Sequence, residues 1–205
     1  MNTRIVISQS FFQTELLYGV RVLRLCSEDG TNRLARNCVL ALTEAIRQAA
    51  QETKPLIITG NPKFFSAGAD LNEIARLTGP VAYEFSKMGQ ALMNVIESFP
   101  APVFAAVSGY CFGGGLDLAL ACHRRIASPH AVFGHRGAAL GLITGWGGTQ
   151  RLPRLVGKAR ALQMFLAAEK IHAHEALRIG LVDAVSEDPL AEALRRIASS
   201  GFPPL

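Results

Sequence analysis

Ser108-Gly109-Tyr110-Cys111-Phe112-Gly113-Gly114-Gly115-Leu116-Asp117-Leu118-Ala119-Leu120-Ala121-Cys122 is the stretch on which the reading of this chain turns. It follows the apolar run Val103-Phe104-Ala105-Ala106-Val107, so three consecutive glycines stand where a strand hands over to a helix. Without β-carbons the backbone there can approach a ligand closely. The first N–H groups of the helix, unpaired within it, present the positive end of its dipole. Such a place suits a developing negative charge. A second small-residue turn, Ser66-Ala67-Gly68-Ala69-Asp70-Leu71, lies about forty-five residues upstream and also follows an apolar run, Leu56-Ile57-Ile58-Thr59.

Outward from these turns the pattern alternates between strand and helix. Residues 4–11 and 18–26 alternate apolar and polar side chains as a hairpin does. Residues 32–52 place Leu34, Val39, Leu42 and Ile46 at helical spacing, and Pro55 ends that run. The pattern predicts a second helix over 81–98, short strands over 125–127, 131–134 and 181–185, and helices over 148–156, 159–168, 173–179 and 189–199. Alternation of this kind predicts an α/β fold with largely parallel pairing through helical crossovers. The 205 residues read as one domain, with no linker, internal repeat or low-complexity segment.

Composition narrows the function classes. A hydrophobic fraction of 49% with 18% charged residues describes a chain able to bury a core, not a disordered one. The net charge of +5 favours anionic partners. The basic residues are scattered, however, with no interleaved aromatics, so a phosphate-bearing small molecule is expected rather than nucleic acid. Residues 101–122 carry only Asp117 as a charge over a length that could span a bilayer. Pro102 and four glycines within residues 109–115 instead indicate strand, turn and buried helix, and no membrane association is expected. Cys26, Cys38, Cys111 and Cys122 form no CxxC pair or zinc-type spacing, and no signal-peptide core opens the chain. Reduced thiols and a cytoplasmic location are the expectation. His172 and His174 read as exposed helix-start residues, and no metal site is expected. The spacing of Gly109 to Gly115 does not fit the dinucleotide fingerprint, and neither a phosphate loop nor a GxSxG elbow is present.

Taken in order, residues 60–71, residues 108–122, Gly141-Leu142-Ile143 with residues 147–157, and residues 173–183 closely resemble the crotonase family, the enoyl-CoA hydratase/isomerase superfamily. The resemblance implies a spiral of ββα units that holds an acyl-CoA thioester, with coenzyme A entering as part of the substrate and no separate cofactor. It implies an oxyanion hole built from the backbone N–H groups of Ala69 and Gly114. Two preorganised donors there would stabilise an enolate oxygen by several kcal/mol. It also implies that pantetheine runs along Phe64, Ser66, Ala67 and Gly68, with Leu71, Tyr110 and Gly113 nearby, and that Arg33, Arg36 and Lys63 are the basic residues available to phosphates. Asp70 is expected to hold its turn by Asx-type hydrogen bonding.

Hydratases of this family use two glutamates. By position the first falls at Asp117, one methylene shorter, and the second at Gly137, which has no side chain. A further position where some relatives carry aspartate reads Gly145. His135 precedes Gly137 by two residues, so in an extended chain both face the same way. It reads either as a substitute general base or as a strand-end histidine bonded to backbone. Asp117 likewise reads as an acid/base or as a carboxylate favouring a helix start. The resemblance further implies a trimer or hexamer. It also implies a core spiral over about 1–185 with a short helical end over 186–205, in place of the longer C-terminal helical region usual in the family. Hydratase or isomerase chemistry, another enolate reaction such as decarboxylation or thioester hydrolysis, and a non-catalytic thioester-binding protein all remain open at this point.

Overall fold

A computed structural model describes residues 7, 8 and 10–199. A seven-stranded sheet forms the frame, in the order Ile7–Ser8, Phe12–Leu17, Val20–Leu25, Leu56–Thr59, Val103–Val107, Arg124–Ala127 and Ala184–Val185. The first two pairings are antiparallel and the remaining four parallel. A four-stranded sheet lies alongside it, in the order Ile171–His172, Val132–Gly134, Tyr110–Phe112 and Phe64–Ser66. The pair Arg33–Leu34 and Gly68–Ala69 forms a third, minimal sheet.

The chain thus repeats one unit: a strand in the large sheet, a short strand outside it, then a helix. Val20–Leu25 and Arg33–Leu34 lead to the helix Arg36–Ala50, and Leu56–Thr59 and Phe64–Ser66 to the helix Gly79–Glu97. Val103–Val107 and Tyr110–Phe112 lead to the helix Gly114–Ala121. This is the expected ββα spiral. Leu56–Thr59 and Val103–Val107 are buried throughout, and apolar but for Thr59, because both faces of the sheet are covered. Leu56, Ile58, Val103, Ala105 and Val107 face the main core, while Ile57, Phe104 and Ala106 face a second cluster closed by Ala193 and Ile197 of the helix Pro189–Ser199.

Several local expectations need correction. The hairpin joins Phe12–Leu17 to Val20–Leu25 through Tyr18 and Gly19, both at positive φ, a turn whose twist matches that of its strands. Of the strand expected over 4–11, residues 4–6 and 9 lie outside the described residues. The first long helix starts at Arg36 rather than at 32. Asn32 is buried at φ 52 with its amide donating to the carbonyls of Phe64 and Phe65, and Arg33–Leu34 is held as a strand by Gly68–Ala69. His172 and His174 are exposed at a helix start as expected, His172 being the N-cap of the helix Ala173–Arg178 and also the end of the strand Ile171–His172. The expected strand over 181–185 shrinks to Ala184–Val185. Gly180 ends the preceding helix in the left-handed region, and the Leu181 N–H turns back to Ala176 O at 2.8 Å.

Candidate active site

The two glycine-containing turns meet. A Cβ added to Gly68 would stand 2.6 Å from Phe112 O and 3.1 Å from Gly114 N. One added to Gly114 would lie 3.3 Å from Ala69 N and 2.4 Å from the Trp146 ring, and one added to Gly115 would lie 2.6 Å from Ser66 Cβ. The second and third glycines are therefore demanded by close approach, while Gly113 is demanded by its own backbone, at φ 51 and ψ −120. Gly114 opens the helix Gly114–Ala121, so its N–H has no acceptor within the helix. Both Ala69 and Gly114 line a cavity of about 380 Å³.

Asp117 stands one helical turn beyond Gly114 and so lies on the same face. It is 2% exposed and lines the same cavity. The Thr144 hydroxyl donates a short hydrogen bond to its Oδ2. Its Oδ1 faces His135 Nε2 at 3.5 Å, and neither of these two buried atoms has a hydrogen-bond partner. Burial raises the Asp117 carboxyl to about 7, while the Thr144 donor, the Arg151 charge and the Gly148 N–H pull it back. Burial lowers the His135 imidazole to about 4. Near neutral pH the imidazole is therefore uncharged, and the single titrating proton of the pair belongs to Asp117.

His135 and Gly137 both line the cavity, but not through an extended chain. Residues Arg136–Leu140 form a 3₁₀ helix, closed by a 2.9 Å bond from Leu142 N to Gly137 O. A Cβ on Gly137 would meet Leu142 O at 2.9 Å, so a larger residue would press on the loop that walls the cavity. Gly137→Glu should consequently lower the melting temperature unless the 140–143 loop moves outward, and thermal unfolding monitored by circular dichroism checks this. Leu71, Ile74, Phe85, Leu142 and Phe165 make the remaining wall mostly apolar.

The other expected residues sort by their position relative to the cavity. Ala67, Leu71 and Gly113 line the cavity. Ser66 and Gly68 lie behind it: the buried Ser66 hydroxyl donates to Asn32 O and accepts from Gly68 N. Asp70 caps the short helix Leu71–Ile74 by accepting from the N–H groups of Asn72 and Glu73, the local role expected of it. Phe64, Tyr110 and Phe112 form a ladder of rings with centroids 5.3 and 5.2 Å apart, of which only Phe112 reaches the cavity. Arg33 is exposed and paired with Asp29, and Lys63 rests over the Phe64 ring. Arg36 pairs with Glu73 and covers the outer side of Phe85.

Four residues that shape the site were not singled out from sequence. Thr144 binds the carboxyl, and Gly148 leaves room for it. Trp146 fills the space between Gly89 and Gly114, and its Nε1 donates to Phe85 O at 3.3 Å. Arg151 is buried and fixed by Glu97, Asn94 and Trp146 O. The lone tryptophan followed by Gly147-Gly148 was the available signal. No disulfide forms among the described residues, and burial raises the Cys38 and Cys122 thiols to about 12. Among the described residues no helix is long and apolar enough to cross a membrane.

Comparison with known proteins agrees with this architecture. The family model for enoyl-CoA hydratase/isomerase matches residues 16–200. A crotonyl-CoA hydratase from Syntrophomonas wolfei is 40% identical over 181 residues, 86% of this chain and 70% of that protein. A probable enoyl-CoA hydratase from Bacillus subtilis is 43% identical over 160 residues, 77% of this chain but 62% of its own length. This chain thus spans about two thirds of these relatives. Among solved structures, Pseudomonas aeruginosa DspI superposes with a TM-score of 0.89 at 34% identity, covering 97% of this chain and 78% of DspI. An enoyl-CoA hydratase from Geobacillus kaustophilus gives 0.89 at 30% identity, over 97% and 76% of the two chains. With the spiral, the paired glycine turns and the family match extending over most of its length, the chain belongs to the enoyl-CoA hydratase/isomerase family, the crotonase superfamily.

Proposed function

We propose that this protein binds an acyl-CoA thioester and catalyses addition or loss of water at an enoyl double bond through an enolate, with one carboxyl group doing the proton transfer. The observation that carries the reading is the buried Asp117, whose unpartnered Oδ1 lines the same apolar cavity as Ala69 and Gly114, one helical turn from the latter. The thioester oxygen sits between the Ala69 and Gly114 N–H groups, which meet its growing negative charge without reorganising. In hydration, the Asp117 carboxylate takes a proton from water while the water oxygen bonds to the β-carbon. The protonated Asp117 then delivers that proton to the α-carbon, so the carboxylate is regenerated and atoms balance. The neutral His135 holds the water through Nε2. Phe64, Tyr110 and Arg36 provide the approach for pantetheine and phosphates.

The crotonase-type hydratases with two carboxylates would not be matched in rate, because Gly137 can hold neither proton nor water through a side chain. Decarboxylation of an acyl-CoA is a second reading that this same absence favours, since an enolate formed by loss of CO₂ needs only one proton delivered. Assembly into a homo-oligomer is part of the proposal, supported by the exposed Ile143 of the cavity wall and the exposed Leu162 and Leu166 of the helix Lys158–Leu166.

Turnover of crotonyl-CoA, followed by loss of the conjugated enoyl absorbance, tests the reading together with calorimetric titration of the same ester. Hydration that falls as pH drops through about 7 is expected, because protonating Asp117 removes the base. Micromolar binding without turnover of enoyl or carboxylated esters would instead identify a non-catalytic thioester-binding protein.

A further inference from the structure

We infer that Thr144 is a positioning residue that decides which oxygen of Asp117 carries the proton. The inference rests on the acid–base role proposed for Asp117. The two carboxyl oxygens have unlike surroundings. Oδ2 accepts the Thr144 hydroxyl hydrogen, whereas Oδ1 has no hydrogen-bond partner and faces His135 Nε2 at 3.5 Å. An oxygen already engaged by a donor is the poorer place for a second hydrogen, so the acid proton resides on Oδ1, on the side of the cavity. Without that donor the two oxygens differ only in the neutral imidazole that faces Oδ1. Rotation about Cβ–Cγ would then aim the proton at the Thr144 loop as readily as at a substrate.

The other groups around Asp117 do not supply this asymmetry, and the Gly148 N–H, which also draws the carboxyl down, leaves Oδ1 without a hydrogen-bond partner. His135 faces Oδ1 and is neutral near pH 7. Arg151, from the helix Gly148–Val156, acts on the carboxyl through its charge but spends its own hydrogen bonds on Glu97, Asn94 and Trp146 O. Cys111, from the strand Tyr110–Phe112, is fully buried and its thiol is pushed upward, so it stays protonated. Thr144 is therefore the one side chain that donates to this carboxyl among the described residues. Its place between the 3₁₀ helix and Trp146 also ties the wall of the cavity to the acid.

The test compares Thr144→Val and Thr144→Ala, which remove the donor with and without the branched shape, with Thr144→Ser, which keeps it. Protein labelled with carboxyl-¹³C aspartate is titrated without substrate, the Asp117 signal being identified by its absence in Asp117→Asn. The expected result is a midpoint raised by about one pH unit in both Val and Ala variants, with Ser returning to the parent value. With crotonyl-CoA as the probe, kcat should fall on the order of tenfold at unchanged KM, and Ser should restore it. A midpoint in Val and Ala equal to that of the parent, or a Ser variant that titrates like Val, would overturn the inference. Should the parent turn over no thioester, the hydration reading fails by itself, while the carboxyl titration still decides the role of Thr144.

Discussion

Gly148→Ala should still fold, at some cost in stability, and lose on the order of a hundredfold or more in kcat/KM for crotonyl-CoA. Gly148 is the first residue of the helix Gly148–Val156, so alanine there gains less than the roughly 1 kcal/mol it gains over glycine in a helix interior. Its added Cβ, however, would stand 2.2 Å from Asp117 Oδ1, 2.8 Å from Thr144 Cγ2 and 2.9 Å from His135 Nε2. All three neighbours belong to the proposed proton-transfer group, and Asp117 is too short and too buried to yield without turning its carboxyl. A displacement of about 1 Å at reacting groups is enough for a loss of that size. Kinetics with thermal unfolding on the same preparation checks it. A folded variant retaining activity within a few-fold would show that the chemistry does not occur at the face between Asp117 and His135.

Asp117→Asn is expected to abolish hydration and at the same time stabilise the protein on the order of 2 kcal/mol at pH 8. The sign follows from linkage. Burial raises the folded-state pKa of Asp117 from its ordinary value of 3.8 to about 7, so the native state holds a proton that the unfolded chain has released across that interval. Stability from this group is greatest below the unfolded value and is lost as pH rises towards 7. His135 works in the opposite direction. Its value is lowered from 6.5 to about 4, so its contribution is lost as pH falls through that window. Between about pH 4 and 6.5 the two oppose each other, and the parent should show a shallow pH dependence. In Asp117→Asn the histidine acts alone, and stability should fall more steeply on acidification. Urea unfolding across pH 4 to 8 measures both slopes. Parallel curves for parent and variant would mean that the carboxyl is not held in the low-dielectric position described, and would withdraw the proposed acid.

Both effects come from the same conflict. A carboxyl group within a helix whose every residue is buried is poorly solvated, so its charged form is disfavoured. The Thr144 donor relieves part of that cost on one oxygen only, which leaves the other available.

Much of the fold is legible in the sequence. The strands Leu56–Thr59 and Val103–Val107 are continuous apolar runs, and the helices Arg36–Ala50 and Gly79–Glu97 repeat their apolar residues at helical spacing. Such periodicity is local and survives without tertiary context. The short strands Phe64–Ser66, Tyr110–Phe112 and Ile171–His172 were not legible, because two or three residues carry no period. They exist as strands only because partners lie beside them. Asn32 shows the same limit: an amphipathic pattern ran through it, and two carbonyls from residues 64 and 65 pulled it out of the helix.

The candidate site divides in the same way. The chain by itself determined that glycines stand where a strand meets a helix, that a carboxylate follows one turn later, and that position 137 bears no side chain. These are properties of residue type and spacing. Only the tertiary structure decided that Gly114 approaches Ala69, that Thr144 reaches Asp117 over 27 residues, and that His135 faces the free carboxyl oxygen. It also decided that Gly148 and Trp146 close the site from a helix and loop far along the chain. Burial set the proton affinities of Asp117 and His135, and burial is a property of what packs around a residue, which no local stretch of sequence encodes.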